Sequence, residues 1–152
     1  MPPRTKPERR TARPVTITAV VDPVAALASG NLDENLYLYD TNRTEGSTGF
    51  GTPGLRTRVR KGDTLLWNVL PLECETYVAI ADVEIDPRIA EPERRVYPGT
   101  DIVFWTATVK QDSAEPVEYR LSFLLGAVTE PYTAKEAQAL VVGRANAGKE
   151  RK

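Results

Sequence analysis

The chain has 152 residues, a formal net charge of −1, one cysteine and no histidine. That length lets a single domain bury its core without disulfides or metal, and the hydrophobic content of 41% is ordinary for a folded protein. The missing histidines remove the usual metal ligand, general base and triad partner together.

Residues 1–14 are a Pro-rich basic arm, with Arg4, Lys6, Arg9, Arg10 and Arg13 against Glu8. The arm has neither the apolar run of a secretory leader nor that of a membrane span. A cytoplasmic protein is therefore expected, with signal-independent export as the alternative. Val15 to Val21 then alternates apolar with small or polar residues, the pattern of a half-buried strand. Asp22 can cap a short helix that has Pro23 at its first position and Gly30 at its end. Leu36 to Tyr39 reads as the next strand, followed by a glycine-rich loop over residues 40–54.

Leu55 to Arg60 and Thr64 to Leu70 are expected to form a hairpin across Lys61-Gly62-Asp63. Thr76 to Ile85 is a strand with Tyr77, Ala79, Ala81, Val83 and Ile85 on one face. Asp86 to Arg95 reads as a charged connection. Asp101 to Lys110 should turn Val103, Trp105, Ala107 and Val109 inward, and Val117 to Leu125 should turn Val117, Tyr119, Leu121, Phe123 and Leu125 inward. Thr133 to Val142 has a capping-box pair, Thr133 and Glu136, but its Ala139-Leu-Val-Val142 run favours a closing strand. Residues 143–152 form a second basic tail, carrying Arg144, Lys149, Arg151 and Lys152 against Glu150.

These elements predict an all-β fold: an antiparallel two-sheet sandwich over residues 15–142, jelly-roll or Ig/cupredoxin-like, with one short helix and disordered basic termini. The two tails carry +4 and +3, which leaves −8 on the body. Solvated tails are the plain reading, and arms lying on acidic surfaces of neighbouring subunits the sharper one. An acidic body repels phosphate, and the arms offer no aromatic ring for base stacking, so nucleic acid is not an expected partner.

No reaction is named by any constellation of residues. Cys74 lies between Glu73 and Glu75, whose carboxylates disfavour its thiolate. Asp33-Glu34-Asn35 and Asp40-Thr41-Asn42 offer oxygen ligands for Ca²⁺ but lack EF-hand spacing, so ordinary turn chemistry is favoured. No metal, cofactor or enzymatic activity is expected. Arg56, Arg58 and Arg60 should project from one face of one strand, where they repel unless acidic groups or an anion neutralise them. Tyr37 and Tyr39 alternate outward, suited to a protein interface or to stacking on sugar rings with Asp40 and Asn42 beside them. Leu66 and Leu70, Val78 and Ile80, and Ile102 and Phe104 lie opposite the inward sets. So much apolar surface implies a cover, supplied by the helix and loops or by another subunit.

The chain resembles the AidA/PixA inclusion-body proteins of bacteria between about Ile17 and Leu125. The resemblance is carried by Ala19-Val-Val-Asp22, Gly46-Ser-Thr-Gly-Phe-Gly-Thr-Pro-Gly-Leu55, Gly62-Asp63-Thr-Leu-Leu-Trp67, Val103-Phe-Trp-Thr-Ala-Thr-Val109 and Val117-Glu-Tyr-Arg-Leu-Ser-Phe123. It implies a jelly-roll-like sandwich, expression linked to population density or host association, self-assembly, and lectin-like sugar binding as a further property. It brings no catalytic motif, and the basic arms depart from it. The expected function is a non-enzymatic, self-associating β-sandwich whose homo-oligomer loosens in high salt through Arg4, Arg9, Arg10, Arg13 and the Arg56–Arg60 row. A carbohydrate-binding module and a structural component of a phage or secreted particle are the alternatives.

Overall fold

The computed structural model describes residues 14–73 and 76–143. Within them lie β1 (Pro14–Val21), α1 (Pro23–Ser29), β2 (Leu36–Asp40), β3 (Arg56–Val59), β4 (Thr64–Pro71), β5 (Val78–Glu84), β6 (Glu93–Val96), β7 (Val103–Thr108), β8 (Val117–Leu125), β9 (Tyr132–Thr133) and β10 (Gln138–Val142). One sheet, sheet A, has the order β2-β1-β4-β7-β6. The other, sheet B, has the order β3-β10-β8-β5, with β9 also paired to β8. The expected two-sheet sandwich is present. Each sheet is mixed, because β1 runs parallel to β4 and β3 runs parallel to β10. The final segment is a strand, as its apolar run favoured.

Local signals act as their chemistry requires. The Asp22 carboxylate accepts from Ala25 N at 3.1 Å, Pro23 opens α1, and Gly30 ends it at φ 72° while its N–H reaches Ala26 O. The Lys61-Gly62-Asp63 turn is equally tight: Asp63 Oδ2 accepts from Arg60 N at 3.0 Å, and Gly62 takes φ 96°. Its role differs from the expected hairpin, because β3 belongs to sheet B and β4 to sheet A. The turn carries the chain from the end strand of sheet B to the central strand of sheet A.

A second correction concerns β5. The register against β8 shifts between Ile80 and Asp82. This bulge exchanges the two faces part-way along the strand. Ile80 is buried and Tyr77 exposed, while Val83 beyond the bulge is buried again. Val78 and Ile80 therefore belong to the core side rather than to the second face. The bulge is anchored by Trp105, whose Nε1 donates to Ile80 O at 3.0 Å. A third correction is β6, taken for a charged connection. All four of its residues are exposed, so it has no alternation to betray it.

The core is centred on Trp67, Trp105, Tyr119 and Phe123. Trp67 and Trp105 are register partners in sheet A. Trp67 Nε1 donates to the Tyr119 hydroxyl at 3.3 Å across the sandwich, with the rings edge-to-face at 5.7 Å. Burial pushes the Tyr119 phenol well above its ordinary value of 10.0; the Trp67 hydrogen bond opposes this, and the Asp40 carboxylate adds to it. The unfolded chain thus releases this proton at lower pH than the folded one, so the folded state loses relative stability as pH rises past about 10. Urea midpoints measured at rising alkaline pH should fall, and Tyr119→Phe should flatten that fall while lowering stability at neutral pH through the stranded indole N–H.

Candidate functional site

The alternation of β1 buries Val15, Ile17, Ala19 and Val21 and leaves Thr16, Thr18 and Val20 on the outside of sheet A. The same period carries Leu66, Asn68 and Leu70 of β4 to that outer face, with Phe104 and Thr106 of β7 beside them. Pairing aligns these side chains in rows. Val20 lies opposite both Tyr37 and Leu70. Leu70 and Ile102 line one depression, and Tyr97 N donates to Ile102 O at 2.9 Å. An apolar row of Tyr37, Val20, Leu70, Ile102 and Tyr97 therefore crosses β2, β1 and β4 and continues onto the residues that flank β7 and β6.

The next row holds Tyr39, Thr18 and Asn68, with Phe104 opposite Arg95 at the β6 end. Tyr97 packs edge-to-face on Phe104 at 5.6 Å. Leu70, Ile102 and Tyr97 are 55%, 57% and 59% exposed, so neither α1 nor the long loop covers this face. Exposed Tyr77 lines the same depression, of about 350 Å³, at one end of the sandwich, and Leu72 is also exposed.

The glycine-rich loop has another task. Thr48 and Arg56 exchange backbone hydrogen bonds at 2.8 and 3.0 Å, and Ser47 Oγ accepts from Arg58 N at 2.9 Å. Asn42 Nδ2 donates to Arg58 O at 2.6 Å. On the other sheet, Gly51 N donates to Leu38 O and Leu38 N to Thr52 O. One loop thus occupies the free edges of both β2 and β3, removing two unpaired strand edges from this side. Gly49 permits the path at φ 83°, where a Cβ would meet the Gly54 carbonyl at 2.7 Å.

The expected site residues separate accordingly. Tyr37 and Tyr39 stand on the outer face of sheet A, Tyr39 with Phe50 edge-on at 6.3 Å and Arg43 over the Phe50 ring. Asp40 turns inward: Oδ1 accepts from Asn42 N at 2.7 Å, and Oδ2 is buried without a partner among the described residues. Asn42 is only 2% exposed and holds the loop to β3. The polar groups expected beside the tyrosines therefore do not converge on them. Arg56 and Arg60 are exposed, and Arg60 approaches Glu45 at 3.8 Å, while Arg58 is half-buried with Nε unpartnered among the described residues. Arg4, Arg9, Arg10 and Arg13 lie outside the described residues, as does Cys74.

The segments offered as Ca²⁺ ligands are spent on backbone. Asp33 accepts from Lys135 N and Glu136 N at 2.8 and 2.9 Å, which fixes the approach to β10. No group of three or more His, Cys, Asp or Glu residues is placed to hold a metal ion among the described residues. No helix among them is long and apolar enough to cross a membrane. Sequence reading named Leu66, Leu70, Ile102, Phe104 and the tyrosines but passed over Asn68, a lone polar residue in an apolar alternation. It also missed Tyr97, which follows an unrecognised strand.

Comparison with known proteins places this geometry. The fold is similar to the crystal structure of the inclusion body protein PixA from Burkholderia cenocepacia J2315. The TM-score is 0.67 at 14% identity, over 92% of this chain and 99% of that one. At that identity the likeness establishes the shared sandwich. No curated protein matches the chain in sequence. A family model described as a domain of unknown function, DUF8788, matches residues 13–130. With most of its length matched, the chain belongs to the DUF8788 family.

Proposed function

We propose that the protein is a non-enzymatic β-sandwich of the inclusion-body type that acts by associating with copies of itself. The observation that carries this reading is the apolar row across sheet A, uncovered by any described element of the chain. Contiguous apolar surface of that kind marks an interaction site in a soluble domain. The loop that closes β2 and β3 directs association away from those edges. At the opposite side β6 is short, charged and flanked by Pro92 and Pro98, the features that discourage edge-to-edge pairing. The end strand of sheet B, β5, carries a bulge, another feature that discourages such pairing, and the apolar surface on offer is a face. The likeness to PixA, an inclusion body protein, supports the same reading.

Sedimentation equilibrium over a hundredfold range of concentration is the test. A mass that rises with concentration and persists in 1 M salt supports contact through an apolar face. The salt-sensitive part of the association, on this reading, belongs to the basic arm. A monomer at every concentration and salt level would remove the proposal.

A further inference from the structure

We propose that a second copy of the chain stacks face to face on sheet A about a two-fold axis running along β4, an arrangement that rests on the self-association reading above and specifies its geometry. β4 is the central strand of five, with β1 and β2 on one side and β7 and β6 on the other. A two-fold along it lays β1 over the partner's β7 and β2 over the partner's β6, keeping every row at its own height. In the apolar row Leu70 meets Leu70 of the partner subunit, Val20 meets the partner's Ile102, and Tyr37 meets the partner's Tyr97. Each contact is made twice, as an isologous interface demands.

The next row supplies a polar centre. Asn68 projects onto this face at the middle of the central strand, so it meets its own copy across the axis. At that height Arg95 reaches the partner's Tyr39, a ring that can take a guanidinium on its face. One row further, Glu93 falls opposite Thr41 of the partner subunit, two residues from Arg43.

The dimensions are adequate. Strands of five, eight, eight, six and four residues, rising about 3.3 Å per residue and about 4.8 Å apart, give a face of roughly 500 Å² in plan. Pleating and side chains raise the accessible area towards the ~800 Å² per partner of a standard interface. An axis across the strands through Asn68 would instead set the apolar row against the partner's Thr16, the partner's Thr106 and the partner's Glu93, so only the axis along β4 matches the apolar row with itself.

Thiol cross-linking tests the arrangement in the full chain, with Cys74→Ser removing the native thiol. Asn68→Cys should join nearly all chains into covalent dimers with a short bismaleimide, and Ser122→Cys on the outer side of sheet B should not. If Asn68→Cys fails to fold by circular dichroism, Tyr37→Cys and Tyr97→Cys replace it. Mixed together, those two should cross-link to each other at least tenfold faster than either does to itself. A dimer by sedimentation whose Asn68→Cys form stays uncross-linked, or whose Tyr37→Cys and Tyr97→Cys forms prefer themselves, would overturn this geometry and leave self-association standing. A chain monomeric by sedimentation would overturn both.

Discussion

Trp67→Ala is expected to cost about 3–5 kcal/mol of folding stability, the range for truncating a fully buried large aromatic. Trp67 has no exposed surface, and it bridges the two sheets. Its indole packs on Tyr119 of the opposite sheet and donates to that hydroxyl at 3.3 Å. Removing it opens a cavity between β4 and β8 and strands the buried Tyr119 hydroxyl. Against a typical total stability of about 5–15 kcal/mol, this loss brings the chain close to unfolding. Trp67→Phe keeps much of the volume but loses the N–H, so its cost should be smaller by roughly half. Urea denaturation followed by circular dichroism gives both values. A loss below 1 kcal/mol for Trp67→Ala would show that the inter-sheet core lies elsewhere.

The double variant Leu70→Glu with Ile102→Glu should do the opposite, abolishing association while leaving the fold intact. Both side chains are more than half exposed, so each change should move monomer stability by about 0.5 kcal/mol or less. In the assembled state each residue withdraws apolar surface from water, at about 1.5–3 kcal/mol for a fully buried side chain. Each copy contributes both residues, and the introduced carboxylates would be desolvated against apolar partners. Because every 1.4 kcal/mol is tenfold in affinity, a loss of about a thousandfold or more is expected. The unfolding midpoint of the dissociated variant should match that of the wild-type chain at low concentration. A variant that also unfolds would tie these residues to the core instead.

Sequence reading reached the architecture through particular signals. The alternation of Val15 to Val21 and Val117 to Leu125, the Asp22-Pro23 helix start and the Gly30 stop all act locally, so they are legible without knowledge of the partner strand. The failures are long-range. The Lys61-Gly62-Asp63 turn looks like a hairpin because a tight turn is a local event, whereas the sheet that receives each flanking strand is decided by core packing. The β5 bulge is invisible for the same reason: the extra residue at Ala81 is defined only against β8, and it moved Ile80 into the core. β6 has no inward face to read, being exposed throughout.

The surface was partly readable. Tyr37, Tyr39, Leu66, Leu70, Ile102 and Phe104 stood out as apolar residues opposite an apolar core set, and they share one face of sheet A because its strands are in register. Asp40 and Asn42 were grouped with the tyrosines by proximity in sequence. The strand period and the loop turn them inward instead, where Asn42 holds the edge of β3. The glycine-rich loop looked like a place for a ligand. Its backbone is spent on closing two strand edges, a role that only the folded pairings reveal.

The proposal that copies meet through the outer face of sheet A is most directly tested by light-scattering mass, with wild type and the Leu70→Glu, Ile102→Glu variant measured at one matched concentration. The expected result is a wild-type mass at least twice the monomer's 16.8 kDa, with the variant at 16.8 kDa and fully folded. Equal masses for the two chains would contradict it.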